Sequence, residues 1–221
     1  MQFFVLVVLA GLLGVLALAR VRRRASELRT MAVQFGLSFS TAVAPDLEVM
    51  PFPLFSRGDK RRFRNELSGR WGGIELREFD LAVIETGSGD SGGGTTWYSC
   101  AVTEIAAWSP PLTISAETFA DRIGLHFGSA EVPLESEQFS RTFSVRCADA
   151  RFATAFLDAR MMAWLLAHGR GWTFEVSGRW VLCYRKVLGA RELIPLLGTL
   201  RGFADHVPRV VSELYGVDAP R

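Results

Sequence analysis

The feature that most constrains this chain is its first nineteen residues. The segment MQFFVLVVLAGLLGVLALA contains no charged side chain. Hydrocarbon offers backbone amides no hydrogen-bond partner, so a segment that crosses a bilayer must be helical. Nineteen helical residues extend about 28 Å, which matches the hydrocarbon core of a bilayer. We therefore predict that residues 1–19 form a transmembrane helix, with the lipid bilayer as the first partner of this chain.

Four arginines follow this segment at once, in a basic juxtamembrane flank over residues 20–24: Arg20, Arg22, Arg23 and Arg24. The positive-inside rule holds such a flank in the cytoplasm. The predicted topology is that of a single-pass plasma-membrane protein with its N-terminus outside and residues 25–221 as a cytoplasmic domain. The flank can also contact anionic lipid headgroups.

A cleaved signal peptide is the alternative to a membrane anchor. Ala17-Leu18-Ala19 resembles a cleavage site, and cleavage there would release an exported envelope protein. However, no Lys or Arg precedes the apolar run, where a signal peptide carries its positive region. The cysteines Cys100, Cys147 and Cys183 are odd in number and widely spaced, a pattern that indicates buried free thiols and favours a cytoplasmic body.

Composition excludes two further classes of protein. Hydrophobic residues make up 49% of the chain, which excludes an intrinsically disordered protein. The formal net charge of +2 comes from the four flanking arginines, because without them 21 basic residues stand against 23 acidic ones. The body therefore lacks the strong positive field that nucleic-acid binding requires, and we expect no nucleic-acid partner.

Patterning of the body predicts an α+β fold with a mainly antiparallel sheet and several short helices. Alternation of apolar and polar residues predicts strands over 62–85, 95–107 and 173–187. Apolar residues at helical spacing predict helices over 24–35 and 191–215. Strands and helices do not alternate strictly enough for a doubly wound parallel sheet. The irregular, acidic stretch near 125–138 is a candidate sub-boundary.

Two hexapeptides echo each other in this pattern, ELSGRW at 66–71 and EVSGRW at 175–180. Their Ser-Gly pairs predict hairpin turns at Ser68-Gly69 and Ser177-Gly178. Two related halves would explain the echo. Two convergent strand–turn–strand hairpins would explain it as well, and the sequence leaves both interpretations open.

Two motif matches near 87–94 lack the context that their chemistry needs. Gly89-Asp90-Ser91-Gly92-Gly93 matches the core of the trypsin-like nucleophile motif, but all three histidines follow this serine. The spacing Gly87-x-Gly89-x-x-Gly92 fits a dinucleotide loop, but a strand-like segment follows it where the pyrophosphate needs a helix N-terminus. The histidines and cysteines show no zinc-site spacing. We predict no catalytic, cofactor-binding or metal-binding residues and no cofactor.

The first functional hypothesis is a non-catalytic interaction or scaffold domain at the inner face of the membrane, with an unidentified protein partner. A second basic cluster could reach the same leaflet or form a solvated hairpin edge: Arg57, Lys60, Arg61, Arg62 and Arg64. The alternative is an enzyme whose site is assembled from dispersed carboxylates and arginines. A deep polar pocket with perturbed carboxylates would favour the enzyme, whereas an exposed aromatic face would favour the interaction domain.

Four short stretches of the body form a set: Phe55–Gly58, Leu67-Ser68-Gly69-x-Trp71-x-Gly73, Phe79-Asp80 and Phe139-Ser140-Arg141-x-Phe143-x-Val145. This set resembles a family of uncharacterised bacterial proteins with one N-terminal membrane helix and an α+β body. The resemblance covers most of the chain and implies membrane anchoring. That family has no assigned activity or catalytic residues, so the resemblance implies no function.

Overall fold

A computed structural model describes the backbone of residues 2–87, 93–116, 136–186, 189 and 192–216, and their side chains from residue 19 onward. The helices are α1 (Gln2–Phe35), α2 (Pro45–Glu48), α3 (Glu137–Ser140), α4 (Ala150–Phe156), α5 (Ala159–Trp164), α6 (Leu193–His206) and α7 (Arg209–Tyr215). A 3₁₀ turn covers Pro53–Ser56, and a π-helical turn covers Leu165–Gly169. The strands are β1 (Ser38–Ser40), β2 (Lys60–Trp71), β3 (Ile74–Glu85), β4 (Gly94–Ala116), β5 (Phe143–Cys147) and β6 (Thr173–Lys186).

These six strands form one sheet in the order β1-β2-β3-β4-β5, and β6 also pairs with β4. The five strand pairings are all antiparallel. The 23-residue β4 is long enough to pair with β3 and β6 over its first half and with β5 and β6 over its second. The predicted α+β class with a mainly antiparallel sheet is confirmed.

Helix α1 is continuous over 34 residues, and the predicted helix at 24–35 is its C-terminal part. It ends before Gly36, whose φ of +67° suits the left-handed position that follows many helices. The side chains of residues 1–18, nearly all of the predicted transmembrane segment, lie outside the described set. In the part of the chain whose side chains are described, no helix is long and apolar enough to cross a membrane.

The predicted hairpin turns at the two Ser-Gly pairs are wrong. Strand β2 runs through Ser68-Gly69 because β3 pairs with both residues, and β1 also pairs with Ser68. The chain turns at Gly72-Gly73 instead, where both glycines have positive φ, a conformation that glycine adopts without steric cost. Strand β6 likewise runs through Ser177-Gly178, and Gly178 pairs with Ser109 where the β4–β6 register shifts.

The two echoing hexapeptides therefore lie in continuous strands with different neighbours. Strand β2 lies between β1 and β3, whereas β6 pairs with β4. The interpretation that the chain consists of two related halves remains a prediction. The predicted sub-boundary near 125–138 falls largely outside the described residues.

Apolar side chains cover both faces of the sheet. The helix face carries Leu76, Ala101 and Cys183, which belong to a core shared with α1 and α4–α7. The loop face carries a smaller cluster with the segment 43–57, including Phe79 and Cys100. The three cysteines are free and buried, as predicted.

Candidate functional site

A buried ion pair at Arg24 connects helix α1 to the sheet. The Arg24 Nη2 atom lies 3.0 Å from Asp80 Oδ1 and 3.8 Å from Glu78 Oε1. It also donates to Ser99 Oγ at 3.4 Å. Asn65 Nδ2 donates to the other Asp80 oxygen at 2.8 Å. We call these five residues the junction, because they join the helix to the sheet.

The local sequence explains how the junction forms. Successive side chains of a strand alternate between faces, so Glu78 and Asp80 share the helix face with Leu76. Asn65 is held at φ 57°, where β2 shifts register against β3, and asparagine tolerates this left-handed conformation. Arg24 lies one helical turn before the buried Leu28 on the same side of α1.

Glu78 is the electrostatically unusual member of the junction. Its side chain is fully buried, and neither of its oxygens has a hydrogen-bond partner among the described residues. Burial, followed by the neighbouring charge of Asp80, raises the pKa of Glu78 well above its ordinary value, against the opposing effect of Arg24. The neutral acid is therefore favoured at Glu78, and Asp80 supplies the close counterion of Arg24.

This arrangement predicts that Glu78→Gln changes how stability depends on pH. The folded state binds the Glu78 proton more tightly than the unfolded state, so this group makes the free energy of unfolding fall as pH rises above about 4.5. Glutamine has no such proton. Below pH 4.5 the wild type and the variant should therefore have nearly equal free energies of unfolding. Above pH 4.5 the variant should become more stable than the wild type, by up to about 1.4 kcal/mol for each pH unit.

Denaturant unfolding of the full chain in detergent, repeated across the pH range, measures this difference. Glu75→Gln is the matched control, since Glu75 is exposed on the same strand. A pH-independent difference between wild type and Glu78→Gln would contradict the assignment of a raised pKa.

A second buried polar cluster attaches the segment 43–57 to the loop face. Glu175 is fully buried and accepts hydrogen bonds from the Leu54 backbone N–H at 2.9 Å and from the Tyr184 hydroxyl at 2.9 Å. Arg57 Nη2 lies 3.5 Å from the same carboxylate and donates to Tyr184 Oη at 3.0 Å. Burial raises the pKa of Glu175 above its ordinary value, although Arg57 opposes this. We call these four residues the Glu175 cluster.

One end of the sheet carries exposed positive charge. Lys60, Arg61 and Arg62 begin β2, opposite Ile84, Val83 and Ala82 of β3. On the far side of β3 and β4 from β2, Arg185 and Lys186 end β6, opposite Ser99 and Tyr98 of β4. The Arg24 contact with Asp80 and Ser99 lies beside these rows, so α1 reaches the sheet at the same end. We call the exposed residues the basic end: Arg20, Arg22, Arg23, Lys60, Arg61, Arg62, Arg185 and Lys186.

The structure separates the four predicted flank arginines. Arg20, Arg22 and Arg23 are exposed on α1, whereas the side chain of Arg24 is only 12% exposed and turns into the junction. Arg24 therefore does not share the solvent-facing position of the other three. Its ion pair with Asp80, rather than a lipid headgroup, neutralises its charge. Helix periodicity places Arg24 in line with Leu28 and Ala32, and this signal could have distinguished it.

Charged residues on the core face of β3 were the signal that sequence reasoning missed. Glu78 and Asp80 occupy positions that alternate in phase with the apolar Leu76 and Ala82. Carboxylates in such positions need a buried partner. The Glu175 cluster gave a weaker signal, since Leu54 and Arg57 lie more than a hundred residues before Glu175 and Tyr184 along the chain.

Cavities of about 890, 710 and 370 Å³ open on the described surface. The first lies beside α1, the second along β1–β4, and the third beside Trp108 and Pro110. None of the three is lined by Glu78, Asp80 or Glu175. Trp108 follows an apolar stretch of the sequence, yet its side chain is 57% exposed. Among the described residues, no group of three or more acidic, histidine or cysteine side chains is placed to hold a metal ion.

No protein-family model and no curated protein sequence matches this chain. Its fold is similar to the crystal structure of the mycobacterial trehalose monomycolate transport factor A, TtfA, with a TM-score of 0.59 and 15% sequence identity. The similarity covers 84% of this chain and 93% of that chain. At this identity the similarity concerns the fold alone.

Proposed function

We propose that this chain is a single-pass plasma-membrane protein whose cytoplasmic body is a non-catalytic interaction or scaffold domain at the inner face of the membrane. The observation that carries the proposal is the continuity of α1. One unbroken helix begins in the apolar run at Gln2 and ends at Phe35, inside the body. An anchor and a folded domain that share one helix have no free linker between them.

The contacts of α1 support a fixed position of the body. Leu28 and Ala32 are buried in the helix-face core, and Arg24 is held by Asp80. Arg20, Arg22 and Arg23 remain exposed directly after the apolar run, as a positive-inside flank requires. The body would therefore be held in one orientation close to the bilayer.

The environments of the carboxylates favour interaction over catalysis. Glu78 and Glu175 have raised pKa values because they are buried, and both are fully excluded from solvent. A substrate cannot reach either group without displacing α1 or the segment 43–57. By contrast, Trp108 beside Pro110 and Pro111 presents an exposed apolar surface of the kind that protein partners use.

A transport accessory is the second candidate function, favoured by the fold shared with TtfA. TtfA is by name a transport factor for trehalose monomycolate, a glycolipid. A glycolipid would then be the cargo class for this chain. Such a lipid retained on the detergent-purified full chain, identified by mass spectrometry, would raise this candidate above a scaffold.

The experiment that tests the anchor is alkaline extraction of membranes, combined with intact-mass measurement of the retained chain. We expect the full chain, with residues 1–19 present, to stay in the membrane pellet. Leu9→Arg combined with Leu12→Arg should release it, since each arginine costs about 2.5–3.5 kcal/mol at the centre of a membrane helix. Val33→Arg is the control, because Val33 is 80% exposed on the same helix. A soluble chain that begins after Ala19 would contradict the anchor and indicate an exported protein.

A further inference from the structure

We propose that the basic end lies against the anionic headgroups of the inner leaflet, so that the body makes its own contact with the membrane surface. This inference rests on the proposed function, because it requires α1 to enter the bilayer. It adds a partner, an anionic lipid surface, for strand residues that follow the apolar segment by forty residues or more. The surface involved is the sheet end rather than the helix flank alone.

The first support is the placement of the basic residues. Lys60 and Arg62 alternate onto the helix face, in the rows of Ile84 and Ala82. Arg24 contacts the next row, at Asp80. Arg20 precedes Arg24 by four residues and so lies about 6 Å further along α1 on the same side. Helix and strand charges therefore meet at one end of the sheet.

The second support is the balance of charge at this end. The eight members of the basic end are exposed, and four described carboxylates lie near them: Glu27, Asp59, Glu85 and Glu192, the last in the cavity that Arg23 also lines. Glu27 already pairs with Arg23 at 2.8 Å, and Asp59 accepts hydrogen bonds from the backbone and hydroxyl of Thr86. Eight basic residues against four acidic ones leave a positive surface.

The third support is distance from the bilayer. Arg20 follows the apolar run directly, and the electrostatic attraction of an anionic leaflet acts over a Debye length of about 8–10 Å. Each basic residue within that range strengthens membrane binding about fivefold.

Trp97 lies partly buried between these charges, with the Arg64 guanidinium 3.8 Å from its ring centre. Tryptophan is enriched at the headgroup level of membranes.

The test uses the full chain in lipid nanodiscs, with a fluorophore on Thr95→Cys. Thr95 is exposed at the basic end, and the three native cysteines are buried, so labelling is selective. Nitroxide on lipid headgroups quenches a fluorophore that approaches the surface. In discs with about 30% anionic lipid we expect at least twice the quenching seen in neutral discs, and about 0.5 M salt should remove the difference.

Charge removal identifies the residues responsible. The triple variant Lys60→Gln, Arg61→Gln, Arg62→Gln should lose most of the extra quenching. The matched control removes three exposed arginines away from the basic end: Arg70→Gln, Arg151→Gln and Arg170→Gln. In this control variant the fluorophore should be quenched as strongly as in the protein that carries Thr95→Cys alone. Melting curves of both triples check that the body remains folded, as expected for exposed positions.

The outcomes separate this inference from the proposed function. A chain that inserts into discs but quenches equally in anionic and neutral lipid would overturn the membrane contact and leave the anchor standing. A chain that does not insert would overturn both. Limited trypsin digestion is a second readout, in which anionic discs should slow cleavage at the basic end more than neutral discs do. If inorganic phosphate added to neutral discs slowed this cleavage as much as anionic lipid does, the site would recognise free phosphate rather than a membrane, and the inference would be wrong.

Discussion

Replacing Arg24 with methionine is expected to lower the free energy of unfolding of the full chain by about 3–5 kcal/mol. The side chain of Asp80 is 1% exposed, and its close cationic partner is Arg24 Nη2 at 3.0 Å. Removing the guanidinium leaves this carboxylate buried without its counterion, next to Glu78. Thermal unfolding in detergent, followed by tryptophan fluorescence, measures the loss.

The neighbouring residue supplies a matched control. Arg23 also forms an ion pair, with Glu27, but its side chain is 82% exposed. Exposed pairs of this kind contribute about 0.3–0.5 kcal/mol to the free energy of unfolding, so Arg23→Met should lower stability by no more than this. Adding Asp80→Asn to Arg24→Met should recover part of the loss, because the amide is uncharged and still accepts from Asn65. Equal effects of Arg23→Met and Arg24→Met would contradict the junction.

The second large effect is expected from Glu175→Leu, again about 3–5 kcal/mol of lost stability. This change leaves Arg57 buried without its carboxylate and deprives the Leu54 N–H and the Tyr184 hydroxyl of their acceptor. Glu175→Gln keeps an acceptor oxygen, so its cost should be smaller. Glu104→Gln is the control, since Glu104 pairs with Arg179 while 46% exposed.

Thiol labelling distinguishes local detachment from general unfolding in Glu175→Leu. Cys100 belongs to the loop-face cluster under the segment 43–57, whereas Cys147 belongs to the helix-face core. Loss of the Glu175 cluster should therefore speed modification of Cys100 before that of Cys147. Simultaneous labelling of both thiols would show that the cluster does not specifically hold this segment.

Local patterning predicted the sheet better than its turns. Alternation of apolar and polar residues over 62–85 and 173–187 marks strands, and short connections between strands favour antiparallel pairing. The Ser-Gly pairs have turn-forming residues, but pairing with neighbouring strands holds both pairs extended. Strand register depends on residues far apart in the chain, so the sequence alone places the turn at Gly72-Gly73 no better than at Ser68-Gly69.

The sequence predicted only part of the junction, namely a basic flank that includes Arg24. A cluster of four arginines after an apolar run predicts a membrane flank, and that pattern treats its members alike. Arg24 can be distinguished from the other three arginines only when the position of the sheet under α1 is known. Its partners Asp80 and Ser99 lie on that sheet. The basic end likewise depends on the tertiary structure, since β2 and β6 bring charges from distant parts of the sequence to one end of the sheet through their pairing with β3 and β4.

The most direct test of the central claim, an anchor helix continuous with a cytoplasmic body, is the compartment of the C-terminus. Two reporters fused after Arg221 would be compared in membranes, one active only in the cytoplasm and one active only outside it. We expect activity from the cytoplasmic reporter alone, in the membrane fraction. Activity from the external reporter alone would contradict the orientation assigned from Arg20, Arg22 and Arg23 and place the body in the cell envelope.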